Sequence, residues 1–111
     1  MFRQGDVLLV PASTRELPMS VQALPRDARG RLVLALGEAT GHAHAVSARD
    51  AELLADPAEV DRRFLRIATE AMLTHEEHAP IPLPPGLYRV VQQREFVPGS
   101  FEAGWFRPVA D

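Results

Sequence analysis

The four histidines of the chain fall into two tight clusters, His42-Ala43-His44 and His75-Glu76-Glu77-His78. Side chains two apart on a strand point to the same face, so His42 and His44 present two imidazoles with Cα atoms ~7 Å apart. His75 and His78 lead into Pro80, Pro82, Pro84 and Pro85, where an irregular backbone can turn both rings toward one point. Imidazole suits Zn²⁺, Cu²⁺, Ni²⁺ or Fe²⁺ and ligates as the neutral ring. The chain has no cysteine, which removes disulfides, thiolate zinc sites, iron–sulfur clusters and cysteine nucleophiles together. The expectation is a shared divalent transition-metal site, zinc first, with His42, His44, His75 and His78 as ligands. Four imidazoles would close a structural site, whereas three and a water would leave a catalytic opening.

Carboxylates beside the clusters separate a metal store from an enzyme. Glu38, Glu76 and Glu77 are candidates for a further ligand, a partner to an imidazole N–H, or a general base in a metal-activated hydrolysis, with Glu76 and Glu77 the catalytic candidates. Thr40 and Thr74 each precede a cluster, and their hydroxyls suit a bound group or a turn cap. The plainer reading makes Glu76 and Glu77 a solvated turn and the histidines structural. Two functional alternatives stand beside the metal site: a metal-free His/Glu acid–base site acting on a phosphodiester, and a protein-interaction module whose histidines only stabilise it.

Named motifs narrow the field. His75-Glu76-Glu77-His78 is one residue short of the zincin pattern and flanked by proline, and zinc deaminases need the missing cysteines. Cupins resemble the chain more closely, through Gly37, His42-Ala43-His44 and Glu52, and through the Pro84-Pro85-Gly86 turn. No histidine follows that turn near Arg89, and the spacings depart from the cupin pattern. A Walker A loop, a dinucleotide fingerprint and a G-x-S-x-G elbow are all missing. All basic residues are arginine, suited to bidentate pairing with phosphate or carboxylate. Arg89, Arg94 and Arg107 lie nearest aromatic residues without the interleaving of an RNA-binding sheet.

The elements that must carry these residues are short. Ten prolines and seven glycines punctuate 111 residues, which disfavours long helices. Val7–Val10, Arg31–Leu36, His42–Val46, Phe64–Thr69, Ala71–Thr74 and Leu87–Phe96 read as strands, with Pro98-Gly99 as a turn and Trp105–Val109 closing the chain. Residues 12–30 read as an irregular connection. Ala51–Ala55 and Pro57–Arg63 are rich enough in Ala, Glu, Leu and Arg for a helical turn or two, with Asp56 as N-cap before Pro57. The expected fold is one mainly-β domain over residues 1–111, a small barrel or sandwich, a cupin-like barrel among the options.

Composition agrees with that class. An apolar fraction of 46% and a charged fraction of 24% are those of an ordinary globular domain. A net charge of −3 argues mildly against a nucleic-acid surface without excluding one. No apolar run approaches the ~20 residues of a membrane span, and the N-terminus lacks the features of a signal peptide. The expectation is therefore a cytoplasmic protein whose partner is a small molecule or another protein; a homo-oligomer is compatible with the sequence.

Three stretches, Gly37–His44, Leu73–Pro80 and Leu83–Glu95, resemble a group of small uncharacterised bacterial proteins. These share the pattern GE-x-TGH-x-H … THxEHxP … LPPGxYxVxxQRE. No activity is known for that group, so the resemblance implies no mechanism.

Overall fold

The computed structural model describes residues 1–37, 41–96 and 106–108. In chain order the strands are β1 (Phe2–Gln4), β2 (Val7–Pro11), β3 (Gln22–Ala23), β4 (Leu32–Leu36), β5 (Ala43–Val46) and β6 (Glu52–Asp56). They continue as β7 (Glu59–Ile67), β8 (Ala71–Thr74), β9 (Ile81–Leu83), β10 (Gly86–Gln92), β11 (Arg94–Phe96) and β12 (Phe106–Pro108). One antiparallel sheet runs β1-β2-β10-β7-β6-β3, a second runs β4-β5-β8-β9, and β11 pairs with β12. The fold is mainly β and sandwich-like. Its two open sheets set aside the closed barrel, the cupin-like one included.

Alternation explains why these segments pair as they do. Tyr88 and Val90 of β10 and Leu65 and Ile67 of β7 turn inward from the first sheet, and Val46, Leu73 and Leu83 meet them from the second. Their neighbours Arg66, Met72 and Arg89 are exposed, the period-2 signature of a sheet with one face on a core. The proline-rich stretch yields β9, which forms the edge of the second sheet. Pro82, lacking an N–H, is tolerated at such an edge. No helix among the described residues is long and apolar enough to cross a membrane.

Residues 51–63 correct an expectation. They form the β6–β7 hairpin rather than helical turns. Asp56 Oδ1 accepts a hydrogen bond from the Ala58 amide at 2.9 Å. That bond to the amide two residues on is one that an N-cap and an Asx turn share, so Asp-Pro suits either. Leu53, Leu54 and Leu65 are buried through cross-strand pairing, and that burial decides for the hairpin. The connection from Ala12 to Gly30 is also less irregular than expected. It contains a 3₁₀ turn at Thr14–Glu16, closed by a Ser13–Glu16 capping box, and the short β3. The Pro98-Gly99 turn and Trp105 and Val109 lie outside the described residues.

One hairpin positions the site. β1 and β2 are joined by Gly5-Asp6 across the closing pair Gln4–Val7, and Gly5 has φ 57°. Positive φ at the first loop residue suits the right-handed twist of the flanking strands. The turn also drives Asp6 inward, to 2% exposure. An L side chain in that region costs about 1–2 kcal/mol. Gly5→Ala is therefore expected to lower unfolding free energy by about 1 kcal/mol in urea melts; an unchanged midpoint would show that the turn relaxes without strain.

Candidate functional site

β5 and β8 pair Ala45 with Thr74 and Val46 with Leu73. Continued past the strand ends, the same register sets His44 opposite His75, Ala43 opposite Glu76 and His42 opposite Glu77. The contacts follow that order. The His44 and His75 rings lie 4.3 Å apart at 33°. Glu76 Oε1 accepts from the Ala43 amide at 2.8 Å, and His42 Nδ1 is 3.3 Å from Glu77 Oε1. His44 and His75 keep the inward phase of Val46 and Leu73, and both are buried. The His78 ring stands 4.7 Å from His75 and 5.9 Å from His44, and the His42 ring 5.5 Å from His75. The two histidine clusters therefore meet, 31 residues apart in sequence at their nearest members.

The first sheet supplies the floor. His44 Nδ1 is 3.0 Å from Gln4 Oε1, while Gln4 Nε2 donates to the carbonyls of Leu73 and Ala79 at 3.1 and 3.0 Å. These two donations fix which end of the amide faces the imidazole. Its oxygen accepts, so Nδ1 of His44 carries a proton. On the other side of the ring, Nε2 lies 3.3 Å from Asp6 Oδ1. Asp6 Oδ2 accepts from Gln92 Nε2 at 2.9 Å, and the Asp6 carbonyl accepts from the Gln93 amide. His75 is wired the opposite way: the Glu77 amide donates to its Nδ1 at 3.0 Å, which puts the proton of the neutral ring on Nε2.

Gln4, Asp6 and Gln92 are the residues that sequence spacing does not reveal. The faint signal for Asp6 is its place after Gly5 in a two-residue hairpin loop. Glu52, the carboxylate suggested by the cupin pattern, lies elsewhere, on β6 of the first sheet, paired with Arg66 at 3.1 Å. Thr74 is exposed and donates from Oγ1 to the Ala45 carbonyl at 3.2 Å, a bond that reinforces the strand pairing. Glu38 and Thr40 lie outside the described residues.

Among the described residues, two buried side-chain atoms make no hydrogen bond, Asp6 Oδ1 and His78 Nε2. Both belong to this cluster. Among the described residues no three His, Asp or Glu side chains already form a ready-made metal-holding group, so a shared ion would require the donors to close in on it.

The two glutamates of the second cluster differ in state. Hydrogen bonds from the Ala43 amide and from its own amide hold the Glu76 carboxyl below the usual carboxylate range, against the opposing effect of desolvation. Arg31 Nη1 is 4.0 Å from its other oxygen. Glu76 thus behaves as an ionised clamp across the end of β5 and β8. Because its folded-state value is depressed, its stabilisation is present above the ordinary carboxylate range and is lost as pH falls through the folded value. Thermal melts should show Glu76→Gln less stable than the parent at neutral pH, the gap closing below about pH 4. A gap independent of pH would assign the effect to hydrogen-bond geometry and not to charge.

A family model described as a domain of unknown function (DUF8820) matches residues 3–93, which includes every residue of this site. No curated protein and no solved structure matches the chain.

Proposed function

We propose, for a chain that belongs to the DUF8820 family of unknown function, a metal-binding role: a divalent transition ion, zinc first, held between Asp6, His44 and His78. The observation that carries this reading is the 3.3 Å approach of His44 Nε2 to Asp6 Oδ1, both fully or nearly fully buried. With Nδ1 turned to Gln4, Nε2 is the His44 nitrogen on the Asp6 side, and a cation between the two groups, a proton or a metal ion, would hold them together. A charge-assisted N–H···O bond is ~2.7–2.9 Å. Two ligands on a tetrahedral zinc, with bonds of about 2.0–2.1 Å, stand about 3.3 Å apart. The separation matches two ligands of one ion and is long for a charge-assisted hydrogen bond.

His78 supplies the third donor, since its buried Nε2 has no partner. Its ring lies 5.9 Å from that of His44, and rings sharing one tetrahedral zinc stand about 5 Å apart, so His78 would have to move inward to join the set. His75 is a weaker ligand than its spacing suggests, because the Glu77 amide occupies its Nδ1. It stands beside the ion as a donor from Nε2. Three protein ligands leave a position for water, the pattern of a catalytic site. Of the two candidate bases, Glu76 is committed to the Ala43 amide and Glu77 stands at the rim beside His42, away from the floor. The reading is therefore metal binding first, with hydrolysis the reaction class that an open coordination position would serve.

Untagged, chelator-stripped protein is expected to bind one Zn²⁺ per chain in calorimetric titration and to melt higher with it. Saturation at 100 times the dissociation constant adds about 2.7 kcal/mol. Asp6→Asn, His44→Ala and His78→Ala should each weaken binding by more than the ~10–100-fold typical of residues that only support a ligand. His42→Ala should weaken it less. Absence of binding and of any thermal shift with Zn²⁺, Ni²⁺, Cu²⁺, Mn²⁺ and Fe²⁺ would overturn the reading. His44 and Asp6 would then share a proton, as a metal-free acid–base pair.

A further inference from the structure

We infer that Gln4 is the positioning residue of this site: it selects the Nδ1–H form of His44 and fixes the ring with its Nε2 edge toward Asp6. The inference takes its consequence, but not its geometry, from the metal-binding reading.

Gln4 is buried at 3% exposure, as the last residue of β1. Its amide reaches from the first sheet into the second. Nε2 spends both hydrogens on the carbonyls of Leu73, in β8, and Ala79, in the loop after the second histidine cluster. An amide held by both N–H groups cannot rotate to offer a hydrogen to His44 without abandoning the buried Leu73 carbonyl and the partly buried one of Ala79, the first a costly loss. Oε1 can only accept, and at 3.0 Å from His44 Nδ1 it selects the ring form with hydrogen on that nitrogen. Metal-ligating histidines usually have their second nitrogen held by an acceptor in this manner. Gln92 completes the frame on the opposite side, holding Asp6 Oδ2 and turning Oδ1 toward the ring. The bond to Ala79 adds a further consequence: the segment bearing His75 and His78 is anchored by the residue that orients His44.

The test is nitrogen-15 NMR of the histidine rings in the metal-free full-length chain at pH 8, where long-range proton–nitrogen correlations separate the tautomers. The parent should show His44 protonated on Nδ1 only. Gln4→Met, which removes the acceptor, should lose that preference and bind Zn²⁺ about 10–100-fold more weakly. Gln4→Glu, which keeps an acceptor, should retain the tautomer. A parent ring protonated on Nε2, alone or on both nitrogens, overturns the inference, as does a folded Gln4→Met with the tautomer unchanged. Should the variants not fold, the parent spectrum alone decides. A parent that shows the Nδ1–H tautomer yet binds no Zn²⁺ supports the positioning role and overturns only the metal-binding reading.

Discussion

The antiparallel register between β5 and β8 is the constraint on which the site depends. Pairing Val46 with Leu73 and Ala45 with Thr74 dictates the next three pairs along the chain: His44 meets His75, Ala43 meets Glu76, and His42 meets Glu77. Because side chains alternate strictly along a strand, a slip of one residue would carry His44 and His75 to the outer face of the sheet and take Val46 and Leu73 with them. The apolar core therefore fixes the register that assembles the polar cluster. Two further bonds pin it, from Thr74 Oγ1 to the Ala45 carbonyl and from the Ala43 amide to Glu76.

That cluster is the core itself, changed in chemistry at one end of the sandwich. Along β5 the inward phase passes from Val46 to His44, and past β8 from Leu73 to His75. Along β10 it passes from Val90 to Gln92. The hairpin of β1 and β2 contributes Gln4 and Asp6 at the same end. Burying so many polar groups is unfavourable unless each finds a partner. Gln4 satisfies this demand fully, with one acceptor and two donor bonds. Asp6 Oδ1 and His78 Nε2 do not. A core that could have been closed with leucine and valine instead retains unsatisfied polar atoms, and departures of this kind concentrate at functional sites.

Much of this was legible in the sequence, and the remainder was hidden for identifiable reasons. Strand alternation and Gly/Pro punctuation identified most strands, and the two-residue spacing of His42 and His44 placed both on one face. The meeting of the two clusters was not readable, because the residues between β5 and β8 include a hairpin of the other sheet, and no local pattern encodes the register at which the chain returns. Gln4 and Asp6 were hidden for another reason. They are single residues of common types, and only a three-dimensional contact distinguishes a histidine-orienting glutamine from a surface one. Asp56-Pro57 failed differently, since its local chemistry serves a helix start and a hairpin turn equally and burial of the flanking leucines decides the matter. Glu52 was misplaced because proximity in sequence to His44 says nothing about which sheet receives it.

The proposed metal-binding role raises the question of how a cation would reach a pair of groups buried as deeply as His44 and Asp6. Exposure rises in steps away from them: 0% at the His44 side chain, 8% at His75, 22% at the His42 side chain and 55% at that of Glu77. Neighbouring rings along this line are separated by 4.3 and 5.5 Å, so the imidazoles form a continuous polar path from the rim to the floor. Glu77, at the outer end, carries the negative charge that draws a cation toward that path, and Asp6, at the inner end, carries the oxygen that would hold it. Arg31 also stands at this end, 4.0 Å from Glu76, with its charge shared by Asp27 at 2.9 Å, so carboxylates and imidazoles outnumber it at the mouth. An entrance of that composition favours cations over anions, and it favours the same cations that nitrogen and oxygen donors on the floor are suited to bind.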